Sequence, residues 1–441
     1  MDGSPNYIDN NIINRWYHLF KEQNKIHSNQ KYQYWEKVQK YGLTNQNNEK
    51  WKYIPLHKLL ANNFINANKN CPINTTIRDN INLNKPAYQL VFINGFFSQE
   101  LSTQDTGPWK IKIINRNMHQ LLPQPIQPEI FLYLTECLSY ETTYISLPNN
   151  TTAKIPLYLL HINQGSNDNN ILMNIHYRHH VKIHKNSHGE IVEHFASANT
   201  NSHFTGARTS IIVDSNARIE HTKLSFENRA SYHISHNDIH IHCNSIVQSN
   251  VFNIYGNHFH QHQTSTILHD KYAAVSLNSL LLPLDEDILD MSTYVKHNTP
   301  GYNSSKQIHK IISGNQGQGI FRGLITVDKE AIKINGNMLS KNLLLHPFSK
   351  IYSMPQLEIY ADDVKCSHGA TIGHINHEEI FYLCTRGIPY QQACQIIVYA
   401  FALEIIDTIN DNEIQKNIST RIINILTRIF QNGISHKKNS V

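Results

Sequence analysis

The feature that most constrains this chain is a block of short apolar and alternating runs between residues 142 and 361. They fall at 143–146, 157–162, 171–177, 181–184, 190–196, 209–213, 217–226, 238–243, 245–255 and 264–268, and continue through 319–327 to 357–361. Asn, Ser, Gly, Asp and His stand between them, and helical spacing is nearly absent, so the block reads as strands with polar corners. A sandwich, a propeller or a parallel β-helix can carry such a pattern. A propeller would repeat its blades at roughly 40 residues with Gly or Trp signatures, and none is visible. A sandwich of this length would be large. A β-helix needs only coils that stack. Its corners suit Asn, which accepts left-handed backbone more readily than other non-glycine residues. The pattern therefore predicts a mainly β chain built on a parallel β-helix.

The flanks read differently. Ile12, Ile13, Trp16, Leu19 and Phe20 follow helical spacing within 10–41, and Gly42 is placed as a C-cap. Trp51 and Tyr53 read as packing aromatics. Asn94-Gly95 marks a hairpin over 88–98, and a helix is expected over 128–138. Toward the C-terminus, Ala393, Ile396, Ile397, Ala400, Phe401 and Ile405 form an apolar stripe over 390–409. Ile414, Ile418, Ile422, Leu426 and Ile429 form another over 413–431, stopped by Gly433. Three regions are expected: 1–141, mainly helical with a small hairpin; 142–370, the β-helix; and 371–441, helical.

Composition limits the function classes. Among 441 residues 40% are hydrophobic, 17% are charged and the net charge is +5. No Lys/Arg cluster of nucleic-acid type appears, and Lys437 and Lys438 read as a solvated tail. Cys71, Cys137, Cys243, Cys366, Cys384 and Cys394 are scattered without a Cys-x-x-Cys, which speaks against a zinc ribbon or a disulfide scaffold and for a reducing compartment. The first residues lack a signal-peptide pattern, and no apolar run is long enough to span a membrane. A cytoplasmic protein with neither nucleic-acid nor membrane partners is expected.

Several constellations could carry chemistry. Cys366 and His368 are two residues apart, so in extended chain they share a face, and a soft thiolate and an imidazole there suit a transition metal. Read locally, two donors do not make a site, and a strand end with a structural thiol explains them as well. His240 and His242 are followed 18 residues later by His258 and His260, with His262 next in alternation. If 18 residues is one coil, these five form a metal-binding ladder; the plainer reading is a solvated His-rich face. Asp285, Asp287 and Asp290 could serve a carbohydrate-cleaving β-helix enzyme, although Pro283 to Asp287 reads better as an exposed turn. No P-loop, no Gly-x-Gly-x-x-Gly and no Gly-x-Ser-x-Gly is present.

The run Pro355-Gln-Leu-Glu-Ile-Tyr-Ala-Asp-Asp-Val-Lys-Cys-Ser-His-Gly-Ala-Thr-Ile-Gly373 closely resembles the signature of the SufB/SufD family of iron–sulfur cluster assembly scaffolds. The match continues through Glu379-Ile-Phe-Tyr-Leu-Cys-Thr-Arg-Gly-Ile388, and 297–307 and 319–327 look like the family's coils. Gly42-Leu43, Glu49-Lys-Trp-Lys-Tyr-Ile-Pro-Leu56 and Val91-Phe-Ile-Asn-Gly95 are similar to the N-terminal region of its SufD branch. Gly369 stands where SufB-like chains carry Glu, which also points to that branch. Cys384, Thr385 and Asn376 depart from the usual pattern.

The resemblance implies a right-handed parallel β-helix between helical ends, acting as a non-enzymatic scaffold. It implies a SufB-like partner, a SufC-like ABC-type ATPase and an iron–sulfur cluster held only transiently, with none bound tightly by this chain alone. Self-association into a homodimer is expected for the isolated chain. His368 is the implied assembly residue, with Cys366 beside it. Arg386, Gly387, Tyr390, Ala393 and Ile397 are the implied partner-binding residues.

Overall fold

The computed structural model describes residues 6–23, 29–42, 51–69, 73, 75–83, 85–115, 122–168, 170–254, 256 and 258–432. Leu43, Glu49, Lys50, Cys71, Tyr255, Gly433, Lys437 and Lys438 lie outside the described residues. From the N-terminus come α1 (Asn6–Gln23), α2 (Asn29–Tyr41), α3 (Leu56–Leu60), β1 (Asn63–Asn66), α4 (Thr75–Ile81), β2 (Tyr88–Ile93), β3 (Phe96–Ser98), β4 (Lys110–Asn115) and α5 (Ile130–Leu138). The strand block follows: β5 (Glu141–Leu147), β6 (Leu157–Asn163), β7 (Ile171–Ile183), β8 (His188–Ser197), β9 (His203–Val213), β10 (Arg218–Phe226), β11 (Tyr232–Ile241), β12 (Ile246–Ile254), β13 (Phe259–Leu268) and β14 (Ala274–Leu282). It continues with β15 (Ile288–His297), β16 (Ser304–Ser313), β17 (Gln318–Val327), β18 (Ile334–Leu344), β19 (Lys350–Ile359) and β20 (Val364–His374). Three helices close the chain: α6 (His377–Thr385), α7 (Tyr390–Ile406) and α8 (Asn412–Asn432).

From β5 onward successive strands alternate between two sheets. One runs β19-β17-β15-β13-β11-β9-β7-β5-β4, with β1 beside β7; the other runs β20-β18-β16-β14-β12-β10-β8-β6-β2-β3. Neighbours from β5 on pair in parallel, giving the expected parallel β-helix, a solenoid of about seven turns. Paired positions of successive coils lie 27 to 36 residues apart, so each coil holds two strands. The 18-residue coil is therefore a misreading. His240 pairs with Ile267 and Ile212, and His258 lies before the start of β13.

The corners are built as the Asn content suggested. Asn150, Asn186, Asn216 and Asn244 all have positive φ, between 55° and 60°. Their side-chain amides are linked in a ladder, at 2.7, 3.1 and 2.8 Å. Most residues with a Cβ strain in that conformation, whereas Asn tolerates it because its short polar side chain bonds locally. Asn216→Ala is expected to destabilise by about 1–2 kcal/mol, because it adds backbone strain and removes two hydrogen bonds. Asn216→Gly should cost less. Urea denaturation of both variants checks this, and equal costs would show that the backbone conformation is not the cause.

Inside, Ile183, Ile211, Ile239, Val247, Leu277, Met291 and Ile325 belong to one apolar cluster along the lumen. A second cluster joins the outer face of one sheet (Leu224, Phe252, Leu280, Ile312) to Val398, Ala402, Ile405, Ile414, Ile418 and Ile422 of α7 and α8. The C-terminal hairpin thus covers a side of the solenoid. The third cluster joins Trp16, Phe20, Trp35, Trp51 and α5 to Phe204, Ile234, Phe259 and Ile320 on the other outer face. All nine residues of α5 are buried, and its N-cap Glu129 accepts from Leu132 N–H at 2.9 Å.

Candidate functional site

The last coil is β19 and β20, and each ends its sheet with one side unpaired. β20 pairs with β18 from Ile334↔Val364 to Leu344↔His374. The strand pattern had been expected to break at Cys366, and a helical region to begin at 371. Main-chain pairing with β18 carries the strand on, because ladder hydrogen bonds do not depend on side-chain alternation. Val364 and Cys366 pack against the lumen cluster. By alternation His368, Ala370 and Ile372 share that inward face. Among the described residues no further coil covers it, and His368 is exposed while Cys366 is half-buried. Burial pushes the Cys366 thiol up, and a backbone hydrogen bond from Gly336 opposes this more weakly. On the opposite face Ser367 accepts from Asn337 Nδ2 at 2.6 Å. The structure thus sets an imidazole and a thiol on one face of the last coil, on an edge that no described strand pairs.

Beyond β20, Asn376 caps α6, accepting from Glu378 N–H at 3.0 Å. Its aromatic residues Phe381 and Tyr382 are 71% and 58% exposed, and Tyr390 is 58% exposed. The Arg386 guanidinium lies 5.3 Å from the Tyr382 ring centroid. Gly387, at φ 87°, makes the left-handed step out of α6. Of the five residues implied as partner-binding, Arg386, Gly387 and Tyr390 are exposed. Ile397 is half-buried, and Ala393 is wholly buried against Ile380 and Cys394. Ile396 had been placed on the apolar stripe, yet it is 47% exposed, while Val398 and Ala402 fill the core in its stead. The exposed surface is therefore Phe381, Tyr382, Arg386, Tyr390 and Ile396. Sequence reasoning did not single out Phe381, Tyr382 or the short α6 that presents them.

The five histidines of the expected ladder are dispersed. His240 and His242 are half-buried near a corner, bonded to His269 (2.9 Å) and Asp270 (3.0 Å). His260 and His262 are buried in the lumen, so they form no solvated face with them. Among the described residues no group of three or more His, Cys, Asp or Glu side chains is arranged to hold a metal ion. The three carboxylates are also split. Asp285 and Asp287 both reach Arg229, at 2.8 and 3.9 Å, and Asp290 is buried against Arg322. Asp287 is buried rather than exposed at its turn, and burial pushes its carboxyl up to about 7.

The lumen holds what the sequence reading missed. Glu193 is fully buried with His221 at 2.9 Å and Lys223 at 3.5 Å. Glu227 is fully buried with His233 at 2.7 Å and Thr205 at 2.8 Å. Burial pushes the Glu227 carboxyl up, but His233, His203 and Thr205 outweigh it and hold it below the usual carboxylate range. A signal was present: Glu193 alternates in phase with Ile191 and Phe195, and Lys223 with Ile219, so charges stand at core positions.

Comparison with known proteins agrees with the geometry. Residues 162–401 match the family model described as the SufBD core domain of SUF system FeS cluster assembly. The iron-sulfur cluster assembly protein SufD of Escherichia coli strain K12 is 38% identical over 422 residues, covering 96% of this chain and 98% of that protein. The chain belongs to the SufB/SufD family. A SufBD family protein of Synechocystis is 28% identical over 387 residues, 83% of this chain and 84% of its own length. Within the SufB/SufD family the full-length similarity to SufD agrees with the branch that Gly369 indicated. Among the described residues no helix is long and apolar enough to cross a membrane.

Proposed function

We propose that the chain is a non-catalytic scaffold subunit of a cytoplasmic iron–sulfur assembly complex. It pairs through β19 and β20 with a SufB-like subunit and docks a SufC-like ATPase on the α6–α7 surface. The observation that carries this reading is the last coil, where His368 and Cys366 share one face beside two unpaired strand edges. An unpaired edge recruits another strand through its main chain, and two donors become a cluster contact when a partner supplies the rest. The cluster is cargo, held transiently at that seam. Without its partner the chain uses the same edges to form a homodimer. The exposed Phe381, Tyr382 and Tyr390 rings, with Arg386 over Tyr382, suit a protein interface. The three expected regions become a helical cover, a solenoid and a docking hairpin.

His368→Ala is expected to leave the complex assembled and its melting temperature unchanged, while iron and sulfide incorporation falls by about tenfold or more, since losing even a group that only supports a ligand costs about 10–100-fold. Anaerobic reconstitution of the co-expressed complex measures this. Unchanged incorporation in an intact complex would sink the role.

A further inference from the structure

Within the solenoid, the register sets His233 of β11 beside His260 of β13. Ile234 and Phe259 pack outward against the N-terminal cluster, so the two histidines face the lumen. Their rings stack, with centroids 4.5 Å apart and 24° between planes. Both side chains are at least 99% buried. Glu227 lies 2.7 Å from His233 Nδ1 and accepts a hydrogen bond from its N–H. That fixes the tautomer and leaves Nε2 as a lone pair. Among the described residues His233 Nε2 has no hydrogen-bond partner, and neither nitrogen of His260 has one. Asn253 faces the lumen from the other sheet, in register with Ser225, whose hydroxyl is 3.5 Å from Glu227. Asn253 is fully buried with both amide atoms unpartnered.

An unpaired buried lone pair costs about 1–3 kcal/mol, so this concentration of them calls for an occupant. Carboxylate–histidine pairs recur behind metal-binding imidazoles, where the carboxylate orients the ring and raises its basicity. Nitrogen donors with an amide oxygen suit a divalent first-row transition metal.

We propose that His233 and His260, backed by Glu227 and completed by the Asn253 amide oxygen and water, form an internal site for a divalent transition metal inside the solenoid. The site is separate from His368. Glu227 supplies the compensating negative charge in a desolvated interior. With two imidazoles the site holds metal weakly, as suits cargo rather than a structural ion. Polar side chains continue along the inward faces toward the last coil, with Ser279 bonded to His309 at 2.8 Å and Ser353 to Ser340 at 2.8 Å. Choosing Fe2+ as the natural occupant rests on the iron–sulfur reading; the ligand set does not.

The test is anaerobic titration of the full-length chain with Co2+, whose visible bands report nitrogen ligation, followed by competition with Fe2+. One Co2+ per chain is expected. His260→Phe and His233→Phe should abolish it, and Glu227→Gln should weaken it about 10–100-fold, each with folding verified by circular dichroism. If the Phe variants do not fold, Glu227→Gln and Asn253→Leu still decide. His368→Ala should retain the site, so its failure and that of the assembly seam are distinguishable. No stoichiometric binding, or binding unchanged in folded variants, overturns the proposal.

Discussion

Arg208→Ala is expected to destabilise the protein by about 3–5 kcal/mol, the cost of leaving buried carboxylates without their cation. Arg208 is wholly buried on the outward face of β9. Its guanidinium donates to Glu136 at 2.7 Å, to Asp238 at 2.9 and 3.1 Å, and to the Pro123 carbonyl at 2.7 Å. Arg178 holds the other oxygen of Glu136 at 2.7 Å, and Asp238 in turn accepts from Ile126 N–H at 3.1 Å. These groups join the chain before α5, and α5 itself, to the solenoid wall. Burial pushes the Glu136 carboxyl up, but Arg178 and Arg208 outweigh it and hold it down at about 2. Removing one arginine strips that compensation where water cannot replace it. Arg208→Lys should not rescue, because an ammonium cannot reproduce the planar fork. Equilibrium unfolding in guanidinium measures the loss. A change below about 1 kcal/mol would show that the network contributes specificity rather than stability.

The second large effect is acid lability. Burial pushes His176, His194 and His309 down to about 3, and His179, His203 and His297 down to about 4. Above pH 6.5 these histidines are neutral in both folded and unfolded chains and cost nothing. As pH falls from 6.5 toward 4, the unfolded chain takes up protons that the fold refuses, so stability falls. Each such group contributes up to about 1.4 kcal/mol per pH unit across that window. Several titrate together, and a folded domain has only about 5–15 kcal/mol to lose. Glu136, with its lowered carboxyl, adds to the loss below pH 4.5. Asp287 opposes it, because a raised carboxyl relieves strain as pH falls through 7. The net expectation is cooperative unfolding with a midpoint between pH 6 and pH 4, followed by circular dichroism. A melting temperature constant from pH 7 to pH 4 would refute it.

Much of this was legible from residues alone. The short runs from 143 to 361 fixed strands and corners, because period-two alternation and polar breaks leave little else to build. Asn-rich corners were readable because Asn tolerates positive φ. Where the reading slipped, buried polar residues were the cause. The runs at 171–177 and 181–184 looked separate because Arg178, His179 and His180 stand between them. In the structure β7 is continuous, since Arg178 finds Glu136, some forty residues earlier in the chain. The coil length slipped because evenly spaced histidines mimic a repeat, whereas the true period is set by two strands and their corners.

The sequence by itself determined the solenoid, the helical flanks and the motif containing Cys366 and His368, since periodicity and local motif are properties of neighbours along the chain. Tertiary structure alone decided that His368 faces the open end of an uncapped coil, that Ala393 is interior while Phe381 and Tyr382 are outside, and that His233 stacks on His260 over Glu227. Those outcomes depend on which strand lies beside which. Register over a coil of 27 to 36 residues is set by stacking and corner length, and no pattern within one strand encodes it.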